Sequence, residues 1–499
     1  MSDLVNPRKL KALVLGPLLA VVVYLLLPDI YSDVHNEQLV FSDSAKIIIA
    51  ILIWMVVWWL FEAISIAVVG LLPLLLFPLL TPSSIKTVAQ AYSSPVIFLL
   101  LGGFIIGLSL QKWGVDKRIA LLILSNIGSQ PRKLILGFML LCAGLSAFIS
   151  NTATAAMMLP IGLTIITLLN KQSQAGGENM QRNFAIVLML GIAYACNIGG
   201  IATIVGTPPN AFTVGFAEDI LAYEISFLAW SSAVLPAVLV LLPLTWLLLT
   251  KFIFPISNQT ILGGKELLRR QYTQLPPLER GGKITIAVFA LTIVLWLSRT
   301  RLEALSFTTD SGIVRPFTGL SDSGIALLAV VLLFVIPASK RQPTLDWDTA
   351  KKLPWHIIFL FGGGLALAQA IKTYGVDTII GGQLTVLSEL PIIFIILAIV
   401  ALVVLLTEVT SNTATTATLV PIISALAMNA GIDPIAAITA ATMSASCAFM
   451  MPIATAPNAI VLGSGYLKIK DMVKAGLIIN ICAIVIMTLV VYFWSSKIL

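Results

Sequence analysis

The 499-residue chain is 58% hydrophobic and 11% charged, with a mean hydropathy of +1.01, values that exclude a soluble domain and specify a polytopic membrane protein. Its net charge of +7 sits in loops, with no basic stripe interleaved with aromatics, which fits membrane orientation and excludes nucleic acid as a partner. Two histidines, His35 and His356, cannot make a histidine-based metal or catalytic centre, and Cys142, Cys196, Cys447 and Cys482 lie in apolar segments without the spacing of a zinc site or a disulfide framework.

Arg8 and Lys9 precede an apolar run from Ala12 to Leu27 with no small-residue cleavage site after it, so the run is expected to stay as a first span. Pro28 to Lys46 sets Asp29, Asp33, Glu37 and Asp43 against Lys46 alone and is assigned outside. Ile47–Phe61 and Ala63–Leu80 are the next two spans, with Glu62 a solvated turn residue between them. Val96–Gln111 is the fourth, and its Gly102-Gly103 pair points to close helix packing. The basic stretch Lys112–Lys133 then reads as an inside loop with an interfacial helix over Ile119–Leu124.

At Ser150-Asn151-Thr152-Ala153-Thr154 the apolar pattern is interrupted between two uncharged runs, Leu134–Ile149 and Ala155–Leu169. The same five residues return as Ser411-Asn412-Thr413-Ala414-Thr415, between Ile392–Leu406 and Leu419–Met428, at an offset of 411 minus 150, or 261. Over 150–161 against 411–422, eight of twelve residues are identical. Ile97-Phe98-Leu99, Gly102-Gly103 and Gly114-Val115-Asp116 match Ile358-Phe359-Leu360, Gly363-Gly364 and Gly375-Val376-Asp377 at that offset, so a whole module repeats. Non-helical backbone at membrane depth survives only where it is buried in protein or lines a wet cavity. Each pentapeptide is therefore the expected tip of a re-entrant helical hairpin, with Ser, Asn and Thr capping the second arm through their side-chain oxygens. Open amide donors and the positive end of the helix dipole at such a tip suit an anion, and hydroxyl and carbonyl oxygens there suit a small cation.

Beyond the polar loop Asn170–Arg182, the span from Asn183 carries two expected breaks, Asn197-Ile198-Gly199-Gly200 and Gly206-Thr207-Pro208-Pro209-Asn210. Thr455-Ala456-Pro457-Asn458-Ala459 matches Thr207 to Ala211 at a shift of 248, so the second module is shorter by 261 minus 248, or thirteen residues, which reads as a trimmed Lys171–Arg182 loop. Phe227–Leu249 spans back to Lys251–Lys283, the long basic inside linker. Ile284–Leu297 and Gly324–Ile336 flank an outside loop holding Arg299, Arg301, Glu303, Asp310, Arg315 and Asp322, and Lys340–Lys352 is inside again. His356–Ile371 then crosses opposite to Val96–Gln111, so the modules are inverted. Ile432 to about Val461 is the second broken span and Leu477–Trp494 the last. The expected fold is all-α, with about eleven transmembrane helices and two re-entrant hairpins in two inverted repeats, N-terminus in the cytoplasm.

The paired Ser-Asn-Thr tips, the Thr207-Pro208-Pro209-Asn210 and Thr455-Ala456-Pro457-Asn458 breaks, and the lead Ala91-Tyr92-Ser93-Ser94-Pro95 into Ile97-Phe98-Leu99-Leu100-Leu101-Gly102-Gly103 resemble the divalent-anion/sodium symporter family, the INDY-type dicarboxylate transporters, over nearly the whole chain. That resemblance implies sodium-coupled import of C4-dicarboxylates (succinate, fumarate, malate) by an elevator-type homodimer in a bacterial inner membrane, among lipid. It divides the chain into scaffold spans (1–95), a first repeat (96–250), a cytoplasmic linker (251–283), further scaffold spans (284–354) and a second repeat (355–499), the hairpins lying in a mobile transport domain. It implies substrate contacts at Ser150, Asn151, Thr152, Thr207, Pro208, Ser411, Asn412, Thr413 and Thr455. One Na+ site would use Ser146, Ser150, Asn151 and Gly199, the other Thr407, Thr410, Asn412 and Ala454; Ala456 departs from the proline of many members.

No Arg or Lys stands at either tip, so a dianion must be met by amide dipoles, hydroxyls and bound cations, since one bare charge at the bilayer centre already costs at least ~2.5 to 3.5 kcal/mol. Tip chemistry alone leaves open a sodium-independent dicarboxylate exchanger and a carrier of sulfate or tricarboxylate. Glu408, where the first copy has Ala147, is either a structural hydrogen-bonding group or a tuner of the cation site.

Overall fold

The computed structural model describes residues 7–32, 38–172, 178–256, 263–309, 312–382 and 390–499. Asp33, His35, Glu37 and Asp310, and positions 173–177 of the polar loop before the first broken span, lie outside the described residues. Nine helices among those described are long and apolar enough to cross a membrane, and three short antiparallel ribbons, beginning at Ile30, Phe307 and Pro337, are the described strands. The expected spans fall in place: Pro7–Leu26, Asp43–Leu60, a split third span (Ile66–Val69 with Leu72–Leu80), Pro95–Lys112, Phe227–Ile253, Arg280–Glu303, Asp322–Val335, His356–Thr373 and Ile469–Ile498. With the two broken spans they make eleven passages, and the two hairpins stand beside them.

The third span is interrupted around Gly70, where a sequence reading had one continuous run. The reason is steric: a Cβ on Gly70 would lie 2.2 Å from the Phe359 carbonyl oxygen, and one on Gly363 would lie 2.2 Å from the Gly70 oxygen. The two backbones touch, and the glycine pairs are indeed contact points. Gly103 in the first module packs instead against the side chain of Val205, inside the first unwound segment.

The hairpins are Pro131–Ser146 with Asn151–Gln172, and Ile392–Thr407 with Asn412–Asn429. After each comes a broken span: Glu178–Gly200 then Pro208–Leu221 in the first module, Pro434–Ala445 then Ala456–Leu462 in the second. The first break is narrower than expected, because Asn197 to Gly200 remain helical and only 201–207 unwind. The thirteen-residue difference between modules is also not a trimmed loop. The helices take it up, 22 residues against 18 in the second hairpin arm and 23 against 12 in the first half of the broken span, partly offset by the longer unwound stretch 446–455.

The modules interlock. Pro208–Leu221 packs on Asn412–Asn429, Pro434–Ala445 and His356–Thr373 of the second module, while Ala456–Leu462 packs on Asn151–Gln172 and Glu178–Gly200 of the first. Neither second half-helix is supported by its own module alone.

Charged residues are held at the ends. Arg299, Arg301 and Glu303 belong to the last turns of Arg280–Glu303 and not to a loop. Arg299 is buried there among Glu224, Glu303 and Asp322. Glu62 is exposed at the turn after the second span, with Lys9 4.0 Å away. The expected interfacial helix is longer than its apolar middle, Val115–Ile127; it packs on the linker helix Gly264–Thr273, and its Arg118 donates to the Pro276 carbonyl just beyond that helix. At the end of the fourth span the Lys112 ammonium sits 2.5 Å from Asp346 and holds that carboxyl down to about 2.

Candidate functional site

Each hairpin tip is built by a chain reversal of four residues. In the first, Ala147 and Ile149 donate to the Ala143 and Leu145 carbonyls, which finishes the incoming arm, and Thr154 donates to the Ser150 carbonyl at 3.0 Å, which starts the outgoing one. In the second, Thr415 donates to Ser411 at 2.9 Å. The first three amides of each outgoing arm have no intrahelical acceptor. Side-chain capping was expected there, yet Ser411, at φ −67° and ψ 132°, makes no cap hydrogen bond. The amide donors and the positive end of the dipole are thereby left for a ligand.

Ser150, Asn151, Thr152, Thr207, Pro208, Ser411, Asn412, Thr413 and Thr455 all line one cavity of about 350 Å³, within the range of small-molecule sites. Two mirrored interruptions, 261 residues apart in sequence, thus meet on one space. Ala454 and Ala456 complete its wall on the second side; among the described residues His356 is its one ionisable lining residue, and no Arg or Lys lines it. The tip residues are half-buried, with Thr152 exposed into the opening.

The unwound segments are pinned by asparagine. Asn210 donates to the Gly200, Ile201 and Thr203 carbonyls at 2.9, 3.3 and 2.7 Å, and Asn458 donates to Ala448 and Met451, both at 3.0 Å. The two stand at the 248 shift and were visible in the Thr-Pro-Pro-Asn and Thr-Ala-Pro-Asn motifs, although their task was not. Asn197 joins the modules by donating to Thr455 Oγ1 at 3.1 Å. Two buried polar atoms of the cavity wall, Thr207 Oγ1 and Asn197 Oδ1, find no partner among the described residues, an arrangement that costs about 1–3 kcal/mol each unless a ligand or water meets them.

Flanking the cavity, the expected cation-site residues fall into two clusters. At the first, Ser146 donates to Asn151 Oδ1, Thr203 donates to the Ala147 carbonyl, and a Cβ on Gly200 would lie 2.7 Å from Asn151 Oδ1. Gly199 lies against the Ala143 backbone, its carbonyl accepting from Ala202. At the second, Thr407 Oγ1 lies 2.7 Å from Asn412 Oδ1 and 2.8 Å from the Ala445 carbonyl. One hydroxyl proton cannot serve both oxygens, so three oxygens converge with a single hydrogen among them, as suits a hard cation. Thr410 is held by Leu406 and Thr415, and Ala454 lines the cavity. The Ala445 carbonyl was not legible in the sequence, since any residue supplies one.

Glu408 is fully engaged. Its carboxylate accepts from the Phe449, Met450 and Met451 amides at 2.7 to 3.1 Å and from Asn480 Nδ2 at 2.7 Å. Those bonds hold the unwound backbone that leads into Ala454 and Thr455, so Glu408 has the structural hydrogen-bonding role, through which it also bears on the expected cation-site residue Ala454.

Residues 15–499 match the family described as sodium:sulfate symporter transmembrane region. The chain is 38% identical over 500 residues to a "Sodium-dependent dicarboxylate transporter SdcS" of Staphylococcus saprophyticus, covering 99% of this chain and 93% of that protein. A protein of the same description from Staphylococcus aureus (strain USA300) is 38% identical over 492 residues, with 97% and 91% covered. The crystal structure of the Alcanivorax borkumensis YdaH transporter, described as having an unusual topology, superposes with a TM-score of 0.58 at 12% identity over 98% of each chain, a likeness of fold alone.

Proposed function

This chain belongs to the sodium:sulfate symporter family, and from that premise we propose that it is a sodium-coupled secondary transporter that imports C4-dicarboxylates such as succinate, fumarate and malate. The observation that carries the reading is the convergence of both Ser-Asn-Thr tips on one cavity without a basic side chain at either. A dicarboxylate has two separated anionic ends, and the cavity offers two separated helix N-termini, Asn151 and Asn412, each with free amides. Thr207 and Thr455, at the start of the resumed half-helices, supply hydroxyls between them. The relatives' description as sodium-dependent dicarboxylate transporters points the same way.

Coupling follows from electrostatics. A dianion entering a low-dielectric cavity lined by neutral groups is strongly disfavoured, and Na+ ions lodged at the Ser146/Asn151 and Thr407/Asn412 oxygen clusters lower that cost before it arrives. Ser150 and Gly199 belong to the first cation set, Thr410 and Ala454 to the second. Because the tips serve both cation and anion, binding of one strengthens binding of the other. The hairpins and broken spans move as one transport domain against the scaffold spans in an elevator cycle, in a homodimer of the bacterial plasma membrane with a cytoplasmic N-terminus. The boundaries are 1–95 and 284–354 for scaffold, 96–250 and 355–499 for the repeats, and 251–283 for the linker.

Uptake of labelled succinate into proteoliposomes tests the reading. An inward Na+ gradient is expected to drive accumulation without internal dicarboxylate; uptake that requires internal dicarboxylate and ignores Na+ identifies an exchanger. Inhibition by excess sulfate or citrate stronger than by unlabelled succinate would reassign the substrate. Cysteine labelling should place Lys265 and Arg315 on opposite sides of the membrane.

A further inference from the structure

A second cleft, of about 530 Å³, opens where the start of Glu178–Gly200, the start of Ile469–Val490 and the chain after Phe227–Ile253 meet. Arg182, Lys470 and Lys474 line it, with Ile253 and Phe254 as its floor. Asp471 is the single carboxylate among its described lining residues. That carboxylate is already engaged, by the Lys468 amide at 3.2 Å and by Arg182 at 3.6 Å. Lys474 lies 5.2 Å over the Phe254 ring and reaches the Ile253 carbonyl at 3.4 Å, so its ammonium is held in place but not neutralised. Among the described residues Lys470 and Lys474 make no salt bridge. The cleft therefore has a surplus of fixed positive charge at one end of the helical body.

What lies next to it names the occupant. Lys470 and Lys474 share a helix face with Leu477, Ile481 and Val485, spaced by three or four residues and exposed by 50%, 56% and 49%. The face thus begins as two ammonium groups and continues as an open apolar stripe pointing away along the helix. Phe252, 69% exposed, stands on the element beside it. Free phosphate or a soluble nucleotide would use the charges and leave the stripe bare. A phospholipid uses both, with its phosphate between Arg182, Lys470 and Lys474 and its acyl chains along Leu477 to Val485. Basic pockets between membrane helices are suited to anionic headgroups.

We propose that this cleft is a binding site for one anionic phospholipid, which ties the start of the last span to the start of the first broken span. Since Glu178–Gly200 leads into the unwound segment at the cavity, the lipid steadies the helix on which that segment hangs. The inference is independent of which anion the cavity carries.

The test is thermal unfolding of the full-length protein in detergent with added phosphatidylglycerol, phosphatidylcholine or inorganic phosphate. Phosphatidylglycerol is expected to raise the melting temperature by several degrees over phosphatidylcholine, and K470Q/K474Q, which leaves the Arg182–Asp471 contact intact, is expected to lose most of that difference. A control pair on another loop, K340Q/R341Q, should keep it. An equal rise for K470Q/K474Q and wild type overturns the site, and a rise given equally by inorganic phosphate overturns the lipid assignment. Should K470Q/K474Q not fold, K470Q alone in the same comparison decides the matter, since Lys470 is exposed and holds no other element.

Discussion

The two hairpin tips have one sequence and two different foundations. At the first, the residue that follows the arm is Ala147, whose backbone carbonyl receives the Thr203 hydroxyl and so ties the tip to the unwound segment of its own module. At the second, the same place is Glu408, whose side chain gathers three consecutive amides of the unwound segment and Asn480 from the last span. The difference follows the lengths of the breaks. Seven unwound residues, 201–207, are held by Asn210, the Trp230 indole and the Thr203 hydroxyl, whereas in the ten of 446–455 Asn458 only donates, to two carbonyls, and the free amides of Phe449 to Met451 need the acceptors of Glu408. A polar tip can thus be repeated exactly in sequence only if each copy's backbone is satisfied by whatever its surroundings supply.

The comparison can be broken most severely by moving the carboxylate. Ala147→Glu puts a charge where no amides are turned to receive it, and a buried unpaired charge costs several kcal/mol; no folded protein should be recovered on size-exclusion chromatography. Next come the tips, where Asn151→Ala and Asn412→Ala each remove an oxygen that accepts from Ser146 or Thr407 and that the proposed cation and anion sites share. Each should lower Na+-driven succinate uptake by roughly 10- to 100-fold, the equivalent of losing about 1–3 kcal/mol of buried hydrogen bonding. Normal uptake by both would remove the tips from the site. Glu408→Gln keeps one acceptor oxygen and turns an NH2 toward amides, so it should cost about 1–3 kcal/mol in unfolding free energy, seen as a lower melting temperature, with a weaker apparent Na+ affinity because Ala454 is displaced. The smallest contrast is also the sharpest. Thr455 caps Asn458 at 3.3 Å and Thr207 has no partner among the described residues. Thr455→Val should therefore cost about 1–3 kcal/mol of stability, as a lost cap and a lost acceptor for Asn197, while Thr207→Val leaves the melting temperature unchanged and raises the apparent KM for succinate.

Much of this was legible in the chain because membrane constraints are severe. Apolar runs must be helices, and a doubled polar interruption between them must be buried together, so the spans and both hairpins follow from Ser150–Thr154 and Ser411–Thr415 and their flanks, while the nine residues that line the cavity, Thr207, Pro208 and Thr455 among them, are those the family resemblance implies. What stayed hidden is what depends on backbone. Asn197 to Gly200 looked like a break but remain helical, since a Cβ-free Gly199 is used to approach Ala143 and not to unwind. The Ala445 carbonyl and the amides gathered by Glu408 carry no residue-type signature. Arg299 looked like a loop charge because its partners Glu224 and Asp322 are distant in sequence.

The interlocking of the half-helices has a consequence for synthesis. The first hairpin is made early, yet the segment that covers its outgoing arm, Ala456–Leu462, emerges some three hundred residues later, and Asn197 must wait 258 residues for Thr455. A nascent chain therefore carries an unfinished polar turn in the bilayer for most of translation, exposed to insertion errors until nearly the last helix arrives. A gene cut between its halves would yield two fragments that need each other to fold.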